Sequence, residues 1–181
     1  AGTAEGDFTS CMIWSTRPKN EVPVLMIVTN NGFGISTPAH TQHGERRICD
    51  RGEAFGIPGE VVDGNDPIAV WNSIQRGLDH CRKTRKPFIL EAFVSRLHGH
   101  SSSSGAARVP DEPDCLKMFE KKLISAGILH SELAEMIYLN AQDEADAAVI
   151  QVMEEARPTA ADVEKHTFAP SPVDSIYPED Y

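Results

Sequence analysis

The stretch from Pro23 to Pro38, P-V-L-M-I-V-T-N-N-G-F-G-I-S-T-P, constrains this chain most. Val24 to Val28 is a short apolar run rich in β-branched residues, which reads as a fully buried strand. It stops on Asn30-Asn31-Gly32, a turn signal with no apolar content. In open α/β sheets ligands sit in the crevice outside the carboxyl ends of the strands. Two amide side chains at such an end are placed to meet a ligand, although the same three residues also make an ordinary turn.

The segments on either side extend this frame. Ala1 to Asp7 (A-G-T-A-E-G-D) is small and Gly-containing, and Phe8 to Thr16 has helical spacing with Phe8 and Met12 on one face. Asp7 is its N-cap or first-turn acid. A small-residue loop feeding a helix N-terminus offers backbone N–H groups, which suits a diphosphate. Glu45 to Ala54 reads as helical, and Glu60-Val61-Val62 as a short strand. Asp66-Pro67 is a strong helix start, with Asp as N-cap and Pro at the first position. Ile68, Trp71, Ile74 or Gln75, Leu78 and Cys81 then recur at helical spacing as the expected buried stripe. Arg82, Lys83, Arg85 and Lys86 crowd that helix's C-terminus, where the dipole favours cations. Phe88 to Val94 is the next buried strand and carries Glu91, which needs a partner if buried. Strands alternating with helices imply an α/β fold with a parallel sheet and flanking helices.

Beyond the last strand, Arg96 to Arg108 (R-L-H-G-H-S-S-S-S-G-A-A-R) is a Ser/Gly-rich loop. His98 and His100 could be read as a zinc pair, but no neighbouring Cys, Asp or Glu completes a site. A better use is hydrogen bonding to a bound phosphate. Asp111 to Ala126 is an amphipathic helix with Leu116, Phe119, Leu123 and Ile124 on one side, closed by Gly127. Ser131 to Arg157 reads as a long acidic helix, and Thr159 to Tyr181 as an extended tail. The expected organisation is an α/β domain over residues 1–110, helices over 111–158 and the tail over 159–181.

Composition removes several classes. The net charge of the 181 residues is −10 with dispersed Lys and Arg, which argues against nucleic acid as partner, since phosphate neutralisation needs a basic face. No apolar run approaches a membrane span. Cys11, Cys49, Cys81 and Cys115 are far apart and fit a reduced compartment better than a disulfide scaffold. Residue 1 is Ala in a non-signal context, so the chain is expected to be a piece of a longer protein.

Taken in order, A-G-T-A-E-G-D-F, the strand ending N-N-G-F-G-I-S-T-P, V-D-G-N-D and R-L-H-G-H-S-S-S-S resemble one family. It is the alpha subunit of the thiamine-diphosphate-dependent, decarboxylating component of 2-oxoacid dehydrogenase complexes. The resemblance covers Ala1 to about Leu129. I-S-T-P and V-D-G-N-D resemble the branched-chain type more than the pyruvate type. The implied fold is the thiamine-diphosphate-binding fold followed by a helical C-terminal region.

The family's metal motif is G-D/E-G followed downstream by N-N. The resemblance puts Ala1 at the third residue of G-D/E-G, and the metal-binding acid just before it, outside this sequence. It implies that Asn31, by its side-chain oxygen, and Phe33, by its backbone carbonyl, bind magnesium. Ala1 and Gly2 would give the cofactor's diphosphate close backbone approach. His100 would be the catalytic histidine near the diphosphate and the reacting centre, and would order the 101–107 loop around the cofactor. Ser101 matches a regulatory phosphorylation site of some animal relatives. Two departures stand out: Thr29 replaces an Arg common before the double Asn, and Ser103-Ser104-Gly105 replaces a paired Asp. The implied activity is that of a 3-methyl-2-oxobutanoate dehydrogenase alpha subunit, passing the acyl group to lipoamide on an acyltransferase partner. A beta subunit would complete an α2β2 tetramer, in a bacterial cytoplasm or a mitochondrial matrix. Alternatives are a pyruvate or acetoin dehydrogenase alpha subunit, or a non-catalytic piece of such an enzyme.

Overall fold

Strand β1 (Leu25–Asn30) pairs in parallel with β5 (Phe88–Phe93), and β5 pairs in parallel with β4 (Gly59–Asp63). The order β1-β5-β4 leaves β5 central, and its first five residues are buried in a row. This is the continuously buried strand that helices on both faces demand, apolar but for Glu91. The computed structural model describes residues 2–101, 107–165 and 167. It divides into two units, Ala1–Leu129 and His130–Tyr181.

In the first unit, alternation along the strands splits the core into two layers. On one face Met26, Val28 and Ile89 pack with Met12 of helix α1 (Gly6–Ser15) and with Ile48, Cys49 and Ile57. On the other face Leu90, Phe88 and Ala92 pack with Val62 and with Cys81 of helix α2 (Pro67–Thr84). The expected parallel α/β architecture is therefore present. Phe8 and Met12 share the inner face of α1 as their spacing implies, with Met12 1% exposed. Asp66 caps α2 by accepting from the N–H groups of Ile68 at 2.9 Å and Ala69 at 3.2 Å.

Four expectations change. The Val24–Val28 run is buried on one face only: Ile27 is 51% exposed, because β1 lies at the edge of the described sheet. Asn31 accordingly follows an edge strand among the described residues, not a central one. The Glu45–Ala54 helix is a 3-10 helix, Ile48–Phe55, ended by Gly56 at a positive φ of 69°. Helix α2 does not bury Ile68 and Trp71, which are 49% and 64% exposed; it buries Ser73, Gly77 and Cys81. The reason is distance. A Cβ at Gly77 would lie 2.7 Å from Leu25 Cδ1, so only a small-residue face admits the helix this close to the sheet.

After β5, helix α3 (Cys115–Ser125) begins later than expected, capped by Asp114, and leaves Leu116 67% exposed. Its end is as expected: Gly127, at φ 69°, lets Ile128 N–H reach the Leu123 carbonyl at 3.0 Å. The second unit contains α4 (Ser131–Glu154), with no buried residue, and a short α5 (Ala160–Lys165) where an extended tail was expected. Residues 168–181 lie outside the described residues. No described helix is long and apolar enough to cross a membrane.

Candidate functional site

The carboxyl end of β1 opens into a cleft of about 280 Å³ lined by Gly2, Thr3, Phe8, Asn31, Phe33 and His43, among others. Here the chain brings together segments remote in sequence: the 3-10 turn Gly2–Ala4, the Asn30-Asn31-Gly32 turn, and the loop before Ile48. Gly2, Asn31 and Phe33 were expected to meet a ligand, and they share one cleft. Ala1 lies outside the described residues, as does Ser103-Ser104-Gly105.

Both Asn side chains shape their own turn. Asn30 Oδ1 accepts from Gly32 N–H at 2.9 Å, and Asn31 Oδ1 from Phe33 N–H at 3.0 Å. Such Asx turns hold a short polar loop without regular pairing. Asn31 Oδ1 keeps a second lone pair, since an amide oxygen has two. Phe33 opens a two-residue-per-strand hairpin, β2 (Phe33–Gly34) with β3 (Thr37–Pro38). The hairpin is tied to the chain beyond β5 by Arg96, which lies 4.8 Å over the Phe33 ring and donates to the Ile35 carbonyl.

Beneath the turn, Glu91 is 0% exposed and fully engaged. It accepts from Asn30 Nδ2 at 2.7 Å and from Cys49 N–H at 2.9 Å. The partner that a buried Glu91 needs is thus supplied twice within the chain. Burial, with Glu91 beside it, pushes the Cys49 thiol up to about 11.

A second polar group borders the cleft, one the sequence did not single out. Arg51 donates to the Thr3 carbonyl, to Glu45, and to His43 Nδ1 at 2.9 Å. Burial pushes the Glu45 carboxyl up, but its own backbone N–H and the Arg51 guanidinium outweigh this and hold it below its usual range.

His100 is not among the residues lining this cleft. Its neighbour Gly99 lines another, of about 370 Å³, which shares Phe33 with the first. His98 forms an isolated antiparallel bridge with Arg108. Among the described residues, no three His, Cys, Asp or Glu side chains converge as a metal site would require. Any metal at the cleft would take amide and carbonyl oxygens from this chain.

Parallel strands, helices on both faces and a polar turn at a strand's carboxyl end define an α/β protein of the class whose ligands sit in the crevice outside the strands' carboxyl ends. The model of the family "Dehydrogenase E1 component" matches residues 1–161, and the chain belongs to that family. It is 35% identical over 107 residues to the 2-oxoisovalerate dehydrogenase subunit alpha 2, mitochondrial, of Arabidopsis thaliana, covering 59% of this chain and 22% of that protein. It is 38% identical over 94 residues to the mouse (Mus musculus) 2-oxoisovalerate dehydrogenase subunit alpha, mitochondrial, covering 51% and 21%. It is 29% identical over 182 residues to the pyruvate dehydrogenase E1 component subunit alpha of Acholeplasma laidlawii, covering 93% and 51%. The chain thus spans about half or less of the length of these relatives.

Proposed function

We propose that this chain carries the alpha-subunit side of a thiamine-diphosphate and magnesium site in a 2-oxoacid dehydrogenase. The observation that carries the reading is the meeting of Gly2, Asn31 and Phe33 in one cleft at the end of a parallel strand. The donors fit the group. Magnesium takes oxygen ligands; Asn31 Oδ1 has a lone pair to spare, and the Phe33 carbonyl is an oxygen of the same kind. A Cβ at Gly2 would meet no heavy atom within 4 Å, so packing within this chain does not require glycine there and leaves space for a ligand.

Each residue then has a task. Asn31 and Phe33 hold the metal, and the Gly2 backbone lets the diphosphate approach. Arg96 holds the hairpin that carries Phe33. Phe8, Val28 and Ile48 give the cleft an apolar wall that limits water around the bound molecule. His100, which does not line the cleft here, is assigned the hydrogen bond near the diphosphate and the reacting centre by the family resemblance alone. The cofactor, when bound, supplies the electron sink for loss of carbon dioxide from a 2-oxoacid.

The substrate assigned is 3-methyl-2-oxobutanoate, supported by I-S-T-P and V-D-G-N-D and by the identities to the two 2-oxoisovalerate subunits. Pyruvate is the second reading, supported by the longer match to a pyruvate enzyme. A beta subunit in an α2β2 tetramer and a lipoyl-bearing acyltransferase are the partners. The site of action is a bacterial cytoplasm or a mitochondrial matrix, relatives of both kinds being among those it resembles.

The test is magnesium-dependent binding of thiamine diphosphate to the complete enzyme, by calorimetry, with Asn31→Leu alongside. Loss of one metal ligand should weaken binding roughly 10- to 100-fold or more. A wild-type enzyme that binds no thiamine diphosphate, or an Asn31→Leu enzyme that binds it unchanged, overturns the reading. Turnover of 3-methyl-2-oxobutanoate against pyruvate by the same preparation decides the substrate.

A further inference from the structure

His43 lines the same cleft as Gly2 and Asn31, and its side chain is 12% exposed. Its Nδ1 lies 2.9 Å from Arg51 Nη2. A guanidinium only donates, so Nδ1 is the acceptor and the ring proton sits on Nε2. Glu45 Oε1 is 3.4 Å from the same Nδ1 and could take a proton from it, but Arg51 Nη2 donates to that oxygen as well. One guanidinium nitrogen thus serves both, and the ring needs no second proton. The other, Nη1, donates to the Thr3 carbonyl. Arg51 is committed to three acceptors from two separate segments, and its guanidinium also lies 6.0 Å from the Phe8 ring centroid. It is positioned to orient His43, not to reach a ligand itself. His43 Nε2 has no partner among the described residues.

We infer that His43 is a ligand-binding residue whose Nε2–H, fixed by Arg51, donates a hydrogen bond to an anionic phosphate oxygen of the molecule held in the cleft. This rests on the cofactor reading above, in which that oxygen belongs to the diphosphate. Three features support it. His43 lines a polar cleft, and its Nε2–H has no protein acceptor among the described residues, so a ligand oxygen there completes its hydrogen bonding. The open backbone at Gly2 and the oxygen of Asn31 line the same space. The Arg51 bonds to Thr3 and His43 hold the Gly2–Ala4 turn and the histidine at a set separation, as a preorganised anion site requires.

The test uses the complete enzyme and compares His43→Gln with His43→Met. The two side chains are similar in size, but only Gln keeps an N–H donor near the Nε2 position. With magnesium present, His43→Met should bind thiamine diphosphate roughly tenfold or more weakly, and His43→Gln within about threefold of wild type. Thiamine, which lacks the diphosphate, should bind wild type and His43→Met alike. In the 15N-histidine-labelled wild-type enzyme, Nδ1 of His43 should be unprotonated. Unchanged diphosphate binding by His43→Met, equal losses in both variants, an equal loss for thiamine, or a protonated Nδ1 each overturns the inference. If wild type itself fails to bind thiamine diphosphate, the cofactor reading falls and His43 with it. If wild type binds and His43→Met binds equally well, only the role of His43 falls.

Discussion

Asn30 Nδ2 donates to Glu91 Oε1 at 2.7 Å, joining the turn after β1 to the centre of β5 across 61 positions of sequence. The other carboxylate oxygen takes the Cys49 N–H, the start of the 3-10 helix that borders the cleft. One buried carboxylate therefore sets two walls of the site. Glutamine cannot replace it, because both partners are donors and one would face an amide NH₂. Glu91→Gln should lower the unfolding free energy by about 1–3 kcal/mol, read by chemical denaturation. An unchanged midpoint would show that the two bonds do not set the walls.

The close approach of α2 to the sheet at Gly77 makes a second prediction. Leu25 Cδ1 at 2.7 Å and Phe88 Cδ1 at 3.2 Å leave no room for a larger residue. Gly77→Val should destabilise by about 1–3 kcal/mol through overpacking, despite Val not being a worse helix former than Gly. Gly77→Ala should cost less, since the Leu25 methyl can shift. Thermal denaturation of both variants checks the order.

Acid sensitivity should come partly from Glu60. The Arg76 guanidinium and then the buried Ser73 hydroxyl, which donates at 2.7 Å, hold its carboxyl below the usual range. Because the folded value is the lower one, the ionised carboxylate stabilises the fold fully above the unfolded value of about 4.3. That contribution fades as pH falls through the folded value. Glu60→Gln should cost about 1 kcal/mol or less at neutral pH, Arg76 being largely exposed, and should flatten the acid limb of a stability–pH curve. An acid limb of unchanged slope contradicts this.

Thiol reactivity should separate the cysteines. Cys49 is buried with its thiol raised to about 11, whereas Cys11 is exposed. Thiolate is the reacting form. Iodoacetamide at about pH 8 should therefore label Cys11 at least tenfold faster than Cys49 in the folded protein, and peptide mass mapping reads the ratio. Equal rates would mean that the layer over Cys49 opens readily.

Local chemistry made much of this fold legible. The Asp66-Pro67 helix start and the Gly127 stop act between near neighbours in the chain and formed as read, and the Val24–Val28 run formed a strand, though not a fully buried one. The Asn30-Asn31-Gly32 turn was legible for the same reason: Asx turns close within two residues. The α2 stripe was misread because periodicity reports which residues are apolar, not how near the sheet comes. Packing depth favoured Ser73, Gly77 and Cys81, whose four-residue spacing was present in the sequence as a small-residue signal. The exposure of Ile27 depended on which strand lies at the edge, and pairing order is a property of the sheet. The partners of Glu91, 42 and 61 positions away, and of Arg51, 48 positions from Thr3, left no local trace. Hydrogen bonds between such distant segments exist only once the core has brought the backbones together, so the turn was written in the chain while the polar scaffold holding it was decided by the packed sheet.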